Sequence, residues 1–154
     1  MITLPVSDRL KTQYQALAEI IRGLNEEQLT SHPIPGKWSI LENIAHLARY
    51  QVVFIERLKR MLSEESPGFE AYQAEKDPEF EKWLSKNSIM LEEEIAVDRK
   101  SINSLLTSLS AEQLQRTGVH PKFGKLTILT WTEFFLLHEA HHLFTIFRLA
   151  HSIQ

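Results

Sequence analysis

The sequence predicts an all-α fold, a four-helix bundle of up-down-down-up topology, and three observations lead there. Apolar residues recur at helical spacing along most of the 154 residues, as in Leu17, Ile20, Ile21 and Leu24, or Ile40, Ile44, Leu47, Phe54, Ile55 and Leu58. An internal repeat divides the chain: HPIPGKWSIL at His32 to Leu41 returns as HPKFGKLTIL at His120 to Leu129. Upstream, LNEEQL at Leu24 to Leu29 returns as LSAEQL at Leu109 to Leu114, with three extra residues before the second HP. The connection from about Ser63 to Asn87 is much longer than an antiparallel helix pair needs. A helix of ~23 residues is about 35 Å long and extended chain covers ~3.3 Å per residue, so this connection can cross the whole bundle.

The elements follow in order. A first helix is expected from about Ser7 to Gly23, then a short capped turn in which Asn25 and Gln28 exchange bonds. Ser39, with Glu42 three residues later, is a capping box opening a second helix from about Ile40 to Leu62. The long crossover has room for a short helix around Phe80 to Leu84. A third helix runs from about Ser88 to Leu109, and Ser110 with Gln113 repeats the capped turn. Thr127 is the N-cap of a fourth helix, about Ile128 to Ala150. No segment reads as a paired strand, and residues 1–154 are expected to form one domain.

Composition narrows the function classes. With 43% hydrophobic residues the chain can bury a real core, and with no cysteine it has no disulfide and must take any thiol from outside. A net charge of -3, with both signs interspersed, argues against a nucleic-acid partner. The N-terminus MITLPVSDRLKTQ has no signal-peptide pattern. The most apolar window, Trp131 to Ala150, is broken by Glu133, His138, Glu139, His141, His142 and Arg148, so no membrane span is expected. A cytoplasmic protein is the expectation.

The segment HEAHH, residues 138 to 142, concentrates the chemistry. At about 100° per residue His138 and His142 lie about 40° apart, on the stripe that holds Trp131, Phe135, Ile146 and Leu149. Two imidazoles one turn apart can point at one ion, and a third ligand from a neighbouring helix would complete the set. His46 is the candidate, because His32 and His120 lie in the repeat loops and His151 at the helix end. His46 sits toward the edge of its helix's apolar face, which suggests a groove open to solvent. His141 is expected to be exposed or behind the ligands. The competing reading is a satisfied core histidine, the usual state of a single buried imidazole, but burying two of them unpaired is costly. Turn structure explains His32 and His120, a solvated face explains Glu92, Glu93 and Glu94, and Trp38, Trp83 and Trp131 are expected as core or groove walls.

The same letters spell H-E-x-x-H, with Glu139 as a would-be general base. The context fails. Thr145 stands where metzincins place Gly and Arg148 where they place the last His, and no glutamate follows Glu139 to serve as a third zincin ligand. A di-iron carboxylate centre needs two ExxH motifs, and Glu139 with His142 supplies one. Glu139 lies about 100° around the helix from His138 and is expected to support the ligands from behind or to face solvent.

GKWSILENIAHLARYQ around His46 and HEAHHLFTIFRL around His138 resemble the DinB-like (YfiT-like) family, over nearly the full chain. The resemblance implies an up-down-down-up bundle, often a homodimer, with a divalent ion, commonly zinc or nickel, held by three histidines. The family's ligands fall on His46, His138 and His142, each matched by histidine. Some relatives are S-transferases or isomerases using low-molecular-weight thiols, and many are described only as metal-dependent hydrolases. The expected function is therefore transfer of a small thiol to an electrophilic small molecule. Three neutral imidazoles leave an ion doubly positive, able to lower the pKa of a thiol or water at its open positions. Hydrolysis of small substrates is the alternative, and a non-catalytic metal-binding bundle the third reading; no side chain is assigned as the catalytic base.

Overall fold

A computed structural model describes residues 2–153. The first bundle helix is α1 (Leu4–Thr12) and α2 (Ala16–Ile20), joined by a 3-10 turn at Gln13–Gln15. It starts three residues earlier than the periodicity suggests, because Pro5 pre-sets the first turn. Gly23, at φ 81°, ends it. The remaining helices are α3 (Glu26–Thr30), α4 (Ile40–Ser63), α5 (Phe80–Leu84), α6 (Ser88–Ser108), α7 (Ala111–Leu114) and α8 (Ile128–Ser152). The expected capping boxes form at Asn25 with Gln28, Ser39 with Glu42, and Ser110 with Gln113, and Thr127 caps α8.

Residue pairings give the directions. Phe54 stacks on Phe135 at 4.3 Å, Tyr50 packs on His138 at 4.2 Å, and Asn43 bonds His142 at 2.9 Å. Falling numbers in α4 meet rising numbers in α8, so the two are antiparallel. Ile40, Ile44 and Leu47 share a core cluster with Leu91 and Ile95, and Phe54, Leu58 and Met61 share the next with Ile102 and Leu106, so α4 and α6 run parallel. Leu17 and Ile21 join the first of these clusters and Leu10 the second, which sets α1–α2 antiparallel to α6. The result is the up-down-down-up bundle. The parallel pair requires the crossover of residues 64–87. Asp77 anchors it to α4 by accepting from Arg49 Nε at 2.6 Å, and within the crossover it accepts from the Tyr72 hydroxyl at 3.0 Å.

One expectation fails. The chain does contain paired strands: β1 (Thr117–His120) and β2 (Gly124–Thr127) form an antiparallel hairpin ahead of α8. The repeat explains why only the second unit makes it. Its three extra residues supply β1, while Pro33 and Pro35 deprive the first unit of two backbone donors. Gly36 and Gly124, equivalent in the repeat, share left-handed φ values of 70° and 73°. His120 Nδ1 accepts from the amides of Lys122 and Phe123 at 3.1 and 3.2 Å, closing the turn. The hairpin packs tightly, since a Cβ on Gly118 would lie 2.6 Å from Phe69.

Candidate metal centre

The Ser39–Glu42 capping box starts α4 in a fixed register, and from that start Asn43, His46 and Tyr50 fall on one face at spacings of three and four. The facing helix α8 supplies His138 and His142 one turn apart. Packing brings the three imidazoles together. His46 Nε2 lies 3.1 Å from His138 Nε2, and one ligand nitrogen from each of His46, His138 and His142 lies within 4.8 Å of the others. Two nitrogens about 2.0–2.1 Å from one tetrahedral ion would be ~3.3 Å apart, close to the His46–His138 separation. His46 is buried at 5% exposure, and His138 and His142 are half-buried.

Second-layer bonds favour the unprotonated, ligating state. The Asn43 amide nitrogen donates to the Ser39 carbonyl at 2.8 Å, which turns its oxygen toward His142 Nδ1 at 2.9 Å. That oxygen can only accept, so the His142 proton sits on Nδ1 and the lone pair on Nε2. The Nδ1 atoms of His46 and His138 are buried with no partner among the described residues. Burial pushes the His46 pKa down to about 2, His138 to about 3 and His142 to about 4, with repulsion from neighbouring histidines adding to each. Three neutral imidazoles converging with free lone pairs fit a divalent cation and leave it open positions. Aromatic rings wall the site: Trp38 packs 5.1 Å from His46 and 6.2 Å from His142, and Tyr72 lies 5.4 Å from His46.

Glu139 corrects an expectation. It neither faces solvent nor bonds a ligand histidine: at 1% exposure it turns to an adjacent face of α8 and pairs with buried Arg99. Gln13 donates to it at 2.9 Å and Gln51 at 3.4 Å, and Arg99 also donates to Gln51 at 3.2 Å. The other histidines lie elsewhere. His141 is exposed, His32 bonds Glu42 at 2.8 Å in the cap of α4, His120 serves the hairpin, and His151 bonds the Phe147 carbonyl. Trp131 is core and Trp38 a groove wall, as expected. The opening to solvent lies at His142 rather than at His46. A cavity of about 720 Å³ is lined there by His142, Asn43 and Trp38, with Lys37, Glu75 and Arg148 at its edges.

Sequence reasoning missed Asn43 and Arg99. For Arg99 a signal existed: Leu91, Ile95, Ile102 and Leu106 define a core stripe that passes through position 99, so a cation there demands a buried partner.

The model of the DinB superfamily matches residues 9–146. A protein of Oceanobacillus iheyensis named "putative metal-dependent hydrolase" is 29% identical over 140 residues, covering 88% of this chain and 78% of its own. A second protein of that organism with the same description is 31% identical over 132 residues, with 82% and 73% covered. In structure, YfiT from Bacillus subtilis, described as "a probable metal-dependent hydrolase with an unusual four-helix bundle topology", superposes with a TM-score of 0.81 at 19% identity, over 98% of this chain and 89% of that one.

Proposed function

The chain belongs to the DinB superfamily, and we propose that His46, His138 and His142 hold one divalent ion, zinc or nickel, for transfer of a low-molecular-weight thiol to a small electrophile. The convergence of three neutral imidazoles beside an open cavity carries this reading. When bound, the ion supplies Lewis acidity that lowers the pKa of a thiol or water at its open positions. The chain's own residues then orient the ligands, exclude water and place the substrate. Asn43 fixes the His142 ring, and Trp38, Tyr50 and Tyr72 give the site aromatic, low-dielectric walls. The chain has no cysteine, so the sulfur comes with the cosubstrate.

Thiol transfer is favoured over hydrolysis by the placement of carboxylates. Hydrolysis by a zincin-type site uses the glutamate of its H-E-x-x-H motif as general base, and here that residue, Glu139, is committed to Arg99 on a different face of α8, while the one carboxylate lining the cavity is Glu75 of the crossover. A thiol, already far more acidic than water, needs no such base. Hydrolysis remains the second reading, supported by the descriptions that the relatives carry. A homodimer also belongs to this proposal: Leu137, Phe144 and Phe147 expose an apolar outer face on α8, which a second copy would cover.

The test loads the protein with zinc or nickel and offers small thiols with a halogenated aromatic or an epoxide, beside an ester and peptide panel. Metal-dependent thiol conjugation, with the rate set by thiol identity, is the expected result. Metal-dependent cleavage abolished by Glu139→Gln, without thiol transfer, would reverse the assignment. Chelation should lower Tm modestly and leave helical circular dichroism intact, because the core is apolar and independent of the site.

A further inference from the structure

The cavity beside His142 has one wall that ion binding does not explain. On α8, His141, Thr145, Arg148 and Ser152 follow at i, i+4, i+7 and i+11, a polar stripe along a largely apolar helix, and all of them line the cavity. Lys37 lines the same cavity from the loop before α4, next to Trp38. Among the described residues neither Lys37 nor Arg148 forms an ion pair or a side-chain hydrogen bond, whereas Arg9, Arg22, Arg49, Arg60 and Arg99 are ion-paired and Arg57 and Arg116 donate to backbone carbonyls. The single acidic residue in the lining is Glu75, so cations outnumber it. A concave site with apolar walls concentrates the field of such cations on whatever enters.

Arg148 is six residues beyond His142, about 9 Å along the helix axis and about 120° around it, and both side chains line the same cavity. From this wall, and resting on the metal-centre reading for its orientation, we propose that Arg148 and Lys37 bind an anionic oxygen group, carboxylate or phosphate, of the small molecule whose reactive atom meets the histidine cluster. The substrate class is then a small anion that places both its reactive atom and its charged group within this one cavity. Arg148 supplies planar, paired donors for that group and Lys37 a point charge, while Glu75 opposes it from the crossover.

The test is a set of titrations followed by amide NMR shifts. Zinc-loaded protein is titrated with 3-mercaptopropionate and with 2-mercaptoethanol, which differ in the carboxylate. The carboxylate thiol should bind about tenfold more tightly, as one charge-assisted contact allows. Arg148→Gln and Lys37→Gln should each erode that preference, the double variant should abolish it, and Glu75→Gln should enlarge it. These side chains are on the surface, so the variants keep the fold. Equal affinity of the two thiols, or a preference that survives the double variant, overturns the proposal. A second arm uses His46→Ala protein with succinate and with methyl phosphate. Binding of either that depends on Arg148 supports the anion wall even if the parent protein takes up no metal, so the two readings fail separately; the probe that binds identifies the anion. No Arg148-dependent binding of either probe counts against the wall.

Discussion

Two polar clusters lie side by side across α8, and they solve opposite problems. His138 and His142 meet His46 of α4, and the Nδ1 atoms of His46 and His138 are left without partners among the described residues; the carboxylate of Glu139, one residue on from His138, is bonded by Arg99 of α6, Gln13 of the 3-10 turn and Gln51 of α4. The carboxylate cluster is closed: opposite charges neutralise one another and further donors fill the remaining acceptor positions, so nothing is left for a ligand. The histidine cluster is open: its groups are neutral, and the Nδ1 atoms of His46 and His138 are buried with no partner among the described residues. Burial alone does not mark a functional site, since the Arg99–Glu139 pair is the more buried of the two. Unused bonding capacity does.

The contrast yields its largest effect on the closed side. Glu139→Ala leaves the Arg99 guanidinium buried without its counter-charge, and should cost about 3–5 kcal/mol in urea unfolding. Replacing both partners by apolar residues, as in Arg99→Met with Glu139→Leu, should recover much of that loss. Metal content per folded molecule should stay at the parent level in both proteins. A Glu139→Ala protein of parental stability would mean that the pair is not the closed cluster described above.

The open side responds to pH instead. Folding holds His46 at about 2, His138 at about 3 and His142 at about 4, against an ordinary 6.5, so between these limits the unfolded chain binds protons that the folded chain refuses. Stability of the metal-free protein is therefore fully present above about pH 6.5 and falls as pH drops from there toward 2. Urea midpoints from pH 8 to pH 5 should show this slope in the parent and a flatter line when all three histidines are changed to Ala. A parent protein whose stability rises as pH falls through this window would contradict neutral burial.

Metal content divides the histidines. His46→Ala, His138→Ala and His142→Ala should each abolish retention of the ion, with about one divalent ion per chain in the parent, whereas His141→Ala should keep it, since His141 is exposed and outside the cluster. Retention in His142→Ala with loss in His141→Ala would move the ligand pair to a spacing of i, i+3.

Much of this was readable in the sequence because it is local or periodic. Capping boxes are decided within four residues, as at Ser39 and Glu42, and the i, i+4 pair His138–His142 shares a face in any α-helix. The crossover length dictated the parallel α4–α6 pair. The hairpin of residues 117–127 was missed because its strands are four residues each and one of its hydrogen-bonding partners is the crossover, through the Gly68–Val119 bridge, a contact no local pattern reveals. Glu139 was misplaced for a related reason. Its position on the helix wheel was right, but the element behind that face, α6 with Arg99, depends on which helices are neighbours.

Asn43 offers the smallest and most specific test of the comparison, because it borrows the closed cluster's logic for one member of the open one. Its amide nitrogen is tied to the Ser39 carbonyl, so only its oxygen is available to His142, and that oxygen holds the proton on Nδ1. Among the described residues His46 and His138 have no such partner at Nδ1, so of the three rings His142 alone is set by the protein before an ion arrives. Asn43→Ala should therefore weaken metal affinity by about 10-fold to 100-fold, the usual range for loss of such a partner, while the ion still binds through all three rings. Nitrogen NMR of the metal-free protein provides the independent readout: the parent His142 should be the Nδ1–H tautomer, and in Asn43→Ala it should become a mixture. Asn43→Asp should keep the tautomer, since a carboxylate also accepts from Nδ1–H, although its charge will be costly at this depth. Unchanged affinity together with an unchanged tautomer in Asn43→Ala would mean that packing against Trp38, rather than the amide, orients His142.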